Sequence, residues 1–282
     1  RLAHRSPGIE ADAVLYQLNL HNYTSEGTIS AAREHLPRLA ALGVKVLWLM
    51  PIHPRGRAIP PKDILREYRG APWPLPELKP FDGNPFCPRD HREIDLVLGT
   101  KADLKQFTDR AHELGMRVIL GWVPNHTSWD APLLQQHPEY YMRGDRGQIL
   151  KHGPWDPIAR LDYTSSKELW TYMRDARRHF LEACGIDGFR EDVAGATPVD
   201  HWTWLRGELD PDRNLLFLAE AWGKQLLGAL DMLYDWQMPA VYWRLIRGRE
   251  PLRILGRLLA EQHGQAPPGA RRLRYLFNHD QT

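Results

Sequence analysis

The chain has 282 residues, and its 37 Lys and Arg face 35 Asp and Glu for a formal net charge of +2, a length and balance that fit one large α/β barrel or two smaller domains. Charge this evenly mixed gives no reason to expect a nucleic-acid partner, and Arg271-Arg272-Leu273-Arg274 reads as solvated surface rather than a polyanion site. No apolar run reaches the length of a membrane span, which argues against a membrane partner, and the 2 Cys are too few for a disulfide framework.

Arg1-Leu2-Ala3-His4-Arg5 lacks the hydrophobic core of a signal peptide, a weak lean toward the cytoplasm. The first residue is not Met, which leaves processing open. Residues 13–20 (AVLYQLNL) predict a first buried strand. After Thr28 the spacing turns helical, with Ala32, Leu36, Leu39 and Leu42 on one face before Gly43, and residues 44–50 predict a second strand. Strand, helix and strand in so short a span imply a parallel pair with a right-handed crossover. The stretch from Pro51 to Leu98, dense in Pro and Gly, predicts a lid or binding loop.

Thr100 with Asp103 predicts a capped helix carrying Leu104, Phe107, Ala111 and Leu114, followed by a third strand over 117–123 that ends in Pro124-Asn125-His126. Residues 127–161 lose periodicity and become rich in aromatics, an insertion. Ser165 and Glu168 predict a capping box for a helix through Leu169, Met173, Ala176 and Phe180 that stops at Gly185. The fourth strand is Gly188-Phe189-Arg190-Glu191-Asp192-Val193-Ala194, in which Arg190 and Asp192 share a face by strand alternation. Alone, that pair reads first as a structural ion pair, since buried charges need partners.

A helix near 199–207, a fifth strand over 215–219 ending in Glu220, a short sixth at 232–234, a helix over 252–263 and a seventh strand over 272–277 ending in Asn278-His279-Asp280 complete the order. Strand-helix alternation with polar residues at strand C-terminal ends predicts a TIM-type (β/α) barrel, with a doubly wound open sheet as the alternative. No Gly-rich phosphate loop follows the first strand to favour that alternative. The expected organisation is a barrel of residues 1–126 and 162–282 with an insertion subdomain of 127–161.

Four segments then carry a resemblance: Val123-Pro124-Asn125-His126, Gly188 to Ala194, Leu218-Ala219-Glu220-Ala221-Trp222 and Phe277-Asn278-His279-Asp280. Their order and spacing resemble glycoside hydrolase family 13, the α-amylase family. The resemblance implies retaining cleavage or transfer of α-glucosidic bonds, with an α-glucan or maltooligosaccharide as the partner, and it leaves the oligomeric state open. It further implies Asp192 as nucleophile, Glu220 as acid/base and Asp280 as a third acid holding the sugar. Arg190 would support Asp192, whereas His126, His279 and Phe86 would bind substrate. Retaining chemistry asks for one ionised and one protonated carboxyl about 5 Å apart, and a neighbouring cation suits the first while burial suits the second.

The chain departs from the family at several positions. Gly121 stands where the third strand usually has Asp, a residue that would brace Arg190. Glu191 replaces a small or apolar residue on the outward face, where a carboxylate without a partner is costly. Phe86 stands for a stacking Tyr. Counterparts of the usual calcium ligands are Arg160 and Gly195-Ala196, so no structural calcium and no other cofactor are expected even with Asn125 present. Thr282 lies two residues past Asp280, so the barrel is expected to lack its eighth strand and helix and the family's C-terminal β-domain. These departures keep a catalytically impaired, carbohydrate-binding member as a rival to the enzyme.

Overall fold

A computed structural model describes residues 12–57, 83–152, 155–212, 214–249, 251–263, 269–276 and 278–281. The expected start of the chain, most of the proline-rich excursion, Phe277 and Thr282 lie outside the described residues. The chain divides into two units, Ala13–Gly188 and Phe189–Thr282 with Arg1–Asp12.

In the first unit, β1 (Val14–Leu18), β2 (Val44–Leu49) and β3 (Arg117–Trp122) pair in parallel, Leu15 opposite Val46 and Leu47 opposite Val118. All of β2 but Lys45 is buried, as in strands covered on both faces, which is why they read as continuous apolar runs. Between β1 and β2 the single predicted helix is two, Ile29–Arg33 and Leu36–Ala41. Pro37 lies in the first turn of the second, where its missing N–H costs nothing, and it prevents the first helix from running through. Ala32, Leu36 and Leu39 are buried as expected, but Leu42 falls on the turn after the second helix and is 63% exposed.

The helix Lys101–Glu113 opens with the predicted capping box, the Asp103 amide donating to the Thr100 hydroxyl at 3.2 Å and the Thr100 amide to Asp103 at 2.8 Å. The helix Lys167–Cys184 is capped by Ser166 rather than Ser165, whose hydroxyl instead donates to the Asp162 carbonyl. Leu169, Met173, Ala176, Phe180 and Cys184 form its buried stripe, and Gly185 ends it at φ 67°. Residues of the expected insertion build an antiparallel sheet, in which His126–Ser128 and Lys151–His152 each pair with Trp155–Arg160. That pairing leaves no local period, hence the loss of pattern in the sequence.

The second unit carries β4 (Gly188–Glu191, of which residues 189–191 belong here), β5 (Leu216–Ala219), β6 (Met232–Tyr234) and β7 (Arg271–Leu273). β5 pairs in parallel with β6, and β6 with β7. Strand–helix alternation with parallel pairing in both units is the α/β pattern of the TIM-type barrel class. β7 ends at Leu273, earlier than expected, so Asn278, His279 and Asp280 lie past the strand rather than at its end. A helix that the sequence did not predict, Gln237–Ile246, follows β6 and packs Met238 and Val241 against Leu258 of the helix Arg253–His263.

Candidate active site

Arg190 lies near the end of β4 with no exposed surface, and Asp192 leaves the strand one residue after its last paired position. The alternation that put the two side chains on one face brings Arg190 Nη1 to 2.5 Å from Asp192 Oδ1. Glu220, the first residue past β5, meets the same guanidinium, with Arg190 Nη2 at 3.1 Å from its Oε2. The chain then turns through Val193 at φ 42° and ψ 45°, a left-handed conformation that a β-branched residue adopts only under constraint. That turn aims two consecutive amides at one residue: Val193 N–H donates to Glu220 Oε2 at 2.9 Å and Ala194 N–H to the Glu220 carbonyl at 3.0 Å. The Glu220 amide donates in turn to the Glu191 carbonyl at 3.0 Å.

Glu220 is pushed above the ordinary carboxylate range by burial and by the charge and hydrogen bond of Asp192, while Arg190 and the Val193 amide pull the other way. Burial outweighs the ion pair, leaving a carboxyl inclined to hold a proton beside a guanidinium.

His279 and Asp280 stand in a short turn, His279–Gln281, with Nε2 and Oδ1 3.3 Å apart. His279 feels the charges of Arg190 and Glu220, and burial holds it below the usual imidazole range. Asp280 acts electrostatically on Tyr234 and Tyr275. Arg190, Asp192, Glu220, His279 and Asp280 thus gather in the second unit.

His126 and Phe86 come together in the first unit. His126 is buried, its Nε2 lying 2.7 Å from the Phe86 carbonyl and its Nδ1 2.5 Å from Asn125 Oδ1. Both nitrogens therefore engage protein in this arrangement, and Phe86 contributes its carbonyl as well as its ring. With Asn125 Oδ1 turned to His126 and a guanidinium at Arg160, this donor set does not fit calcium.

Gly121 sits in a close-packed place: a Cβ there would lie 3.0 Å from the Leu49 carbonyl and 3.1 Å from the Pro51 ring, so a larger residue would press those neighbours by a few tenths of an ångström. Glu191 is fully buried.

Three aromatics that the sequence reading did not single out surround the acids. Tyr234, 1% exposed, accepts a hydrogen bond from Arg190 Nε at 3.0 Å. Trp236 packs 5.0 Å from Tyr234, donates to the Ala221 carbonyl at 3.1 Å, and stacks on Trp222 at 5.6 Å and 19°. Tyr275 meets Tyr234 at 5.5 Å, and burial raises its hydroxyl to about 12. Trp222, two residues past Glu220, keeps 67% of its surface exposed, an unusual cost unless an apolar ligand face covers it. The signal in the sequence was the aromatic clustering at 222, 234, 236 and 275.

Residues 17–148 match the family model for the α-amylase catalytic domain. The chain is 27% identical over 212 residues to an α-1,4-glucan:maltose-1-phosphate maltosyltransferase of Salinibacter ruber, covering 69% of this chain and 30% of that protein. It is 24% identical over 302 residues to the α-amylase MalA of Haloarcula japonica, covering 100% of this chain and 41% of that one. Among solved structures, the maltogenic α-amylase AmyB of Thermotoga neapolitana superposes with a TM-score of 0.81 at 34% identity, over 95% of this chain and 60% of that one. An α-amylase of Lactobacillus plantarum gives 0.81 at 32%, over 95% and 63%. The chain thus spans less than two thirds of each of these relatives. The family match over residues 17–148, these structural likenesses and the strand-end motifs all point to similarity with the α-amylase catalytic domain.

Proposed function

We infer that the chain carries the catalytic machinery of a retaining glycosidase acting on α-1,4-linked glucans or maltooligosaccharides. The observation that carries this reading is the pairing of Asp192 and Glu220 on one buried guanidinium, with Glu220 raised toward its protonated form. Asp192, a carboxylate beside a cation, attacks the anomeric carbon as the glycosidic C–O bond breaks. Glu220 delivers its proton to the leaving oxygen in the same step. Water then gives a proton back to Glu220 while its oxygen displaces Asp192 from the anomeric carbon, and two inversions leave the configuration retained. Asp280 and His279 bind sugar hydroxyls from the following turn, and the exposed Trp222 gives the apolar face of a glucose ring a stacking surface. This chemistry needs no metal, and none is assigned to the site.

The same covalent intermediate can be taken by a sugar hydroxyl instead of water. The exposed Trp222 stacked on Trp236 beside Glu220 favours that second reading, because an aromatic platform next to the acid/base retains an acceptor sugar.

Incubation with maltooligosaccharides tests both. Shorter products from the unmodified chain and none from Asp192→Asn are expected, and longer oligosaccharides identify transfer. Glucan binding without any product would leave the impaired, carbohydrate-binding reading and overturn the enzyme.

A further inference from the structure

Three groups meet the Arg190 guanidinium: Asp192 at Nη1, Glu220 at Nη2, and Tyr234 at Nε, 3.0 Å away. The first two are accounted for by the chemistry above; the third takes no part in it. A guanidinium is a planar fork whose donors keep fixed relative directions. Held only through its outer nitrogens, it can tilt, shortening one carboxyl contact at the expense of the other. A third contact at Nε fixes the plane.

Tyr234 is suited to that task. It closes β6, a strand paired on both sides, and its ring is wedged between Trp236 at 5.0 Å and Tyr275 at 5.5 Å. Its hydroxyl lies in the same buried space as Arg190, with Arg190 Cζ 5.4 Å from the ring centre.

We propose that Tyr234 is a positioning residue for the glycosidic reaction: its hydroxyl accepts from Arg190 Nε and orients the guanidinium to meet Asp192 and Glu220 together. The proposal rests on the reading that these two carboxyls carry the chemistry. Tyr234 touches neither substrate nor reacting atoms; it acts through Arg190.

Tyr234→Phe removes the acceptor and keeps the ring. Positioning predicts a kcat lower by about 10- to 100-fold, the usual consequence of displacing a reacting group by a fraction of an ångström to an ångström, with KM changed by no more than about threefold. It also predicts that the alkaline limb of the kcat–pH profile moves upward, because Glu220 loses part of the cation that draws its proton off. The groups facing Glu220 in that profile are Arg190, Asp192, Tyr234, Tyr275 and His279. A mere core hydrogen bond would lower the melting temperature and leave the limb in place, and that result overturns the proposal.

A readout independent of turnover is the 15N–1H NMR signal of the Arg190 Nε–H. Slow hydrogen exchange in the unmodified chain and fast exchange in Tyr234→Phe are expected, and equal protection in both overturns the proposal. An unmodified chain that turns over no glucan would refute the functional reading, and the exchange measurement would still decide the role of Tyr234.

Discussion

Arg190 is a buried cation that meets both Asp192 and the partly buried Glu220, so replacing it exposes the electrostatics of the site. Arg190→Met keeps most of the volume and removes the charge. The ion pairs, at 2.5 Å to Asp192 and 3.1 Å to Glu220, have gross Coulomb energies of about 7 and about 5 kcal/mol at an effective dielectric of about 20. Desolvation of the guanidinium opposes this. Removing one partner of a buried pair costs about 3–5 kcal/mol, chiefly through the charge left behind, and a loss of that size is expected at pH 7.

The loss is pH-dependent. Glu220 is already raised by burial, and without Arg190 it rises further. A carboxyl whose pKa is higher folded than unfolded is relatively stable while protonated and destabilises the fold as pH climbs through the folded value. The deficit of Arg190→Met is therefore expected to shrink on acidification toward the ordinary glutamate range. Urea unfolding followed by tryptophan fluorescence at a series of pH values measures it. A loss below about 1 kcal/mol at pH 7, the scale of a solvent-exposed pair, or one that does not change with pH, refutes the electrostatic reasoning.

Two further outcomes follow from other parts of the chain. His53 is buried, its Nδ1 donating to the Glu93 carbonyl at 3.0 Å and its ring edge-on to Trp122 and Phe180, and burial lowers it to about 4. An unfolded His takes up a proton near pH 6.5, so stability is expected to fall between pH 6.5 and about 4, by about 3 kcal/mol from this residue alone. His53→Asn, whose amide nitrogen replaces Nδ1, should flatten that slope, and identical urea midpoints against pH in both proteins would refute the assignment. Calcium chelation is expected to leave the melting temperature unchanged, given Asn125 bound to His126 and Arg160 in place of an acid; a large drop on adding chelator would contradict the misfit of that site.

How legible these features were in the sequence depends on how local their causes are. The buried strands announced themselves as apolar runs, Thr100 with Asp103 as a capping box, and Gly185 as a helix stop, because each depends on neighbouring residues alone. Leu42 shares the apolar spacing of the core face, but Pro37 starts a separate helix that ends before it, and of the adjacent serines Ser166 takes the cap. The helix Gln237–Ile246 starts directly after Asp235 and Trp236 with no side-chain cap to mark it.

Strand alternation and the resemblance place Arg190, Asp192 and Glu220 at neighbouring strand ends, and their side chains meet. Gly121 was expected to leave Arg190 short of a brace, yet the guanidinium meets two acids and a tyrosine. Tyr234 escaped notice because β6 has only three residues and the partner it holds is 44 residues earlier in the chain. The left-handed turn at Val193 was equally invisible, since valine is the wrong residue for it by local preference and the Glu220 contacts that accompany it are long-range.

The central claim is that Asp192 and Glu220 form a retaining pair, and the anomer of the first product tests it most directly. A maltooligosaccharide digest followed by 1H NMR from the first moments of reaction, before mutarotation, reports the configuration of the newly released reducing end. The account predicts the α-anomer appearing first and decaying toward equilibrium; initial release of the β-anomer would contradict it.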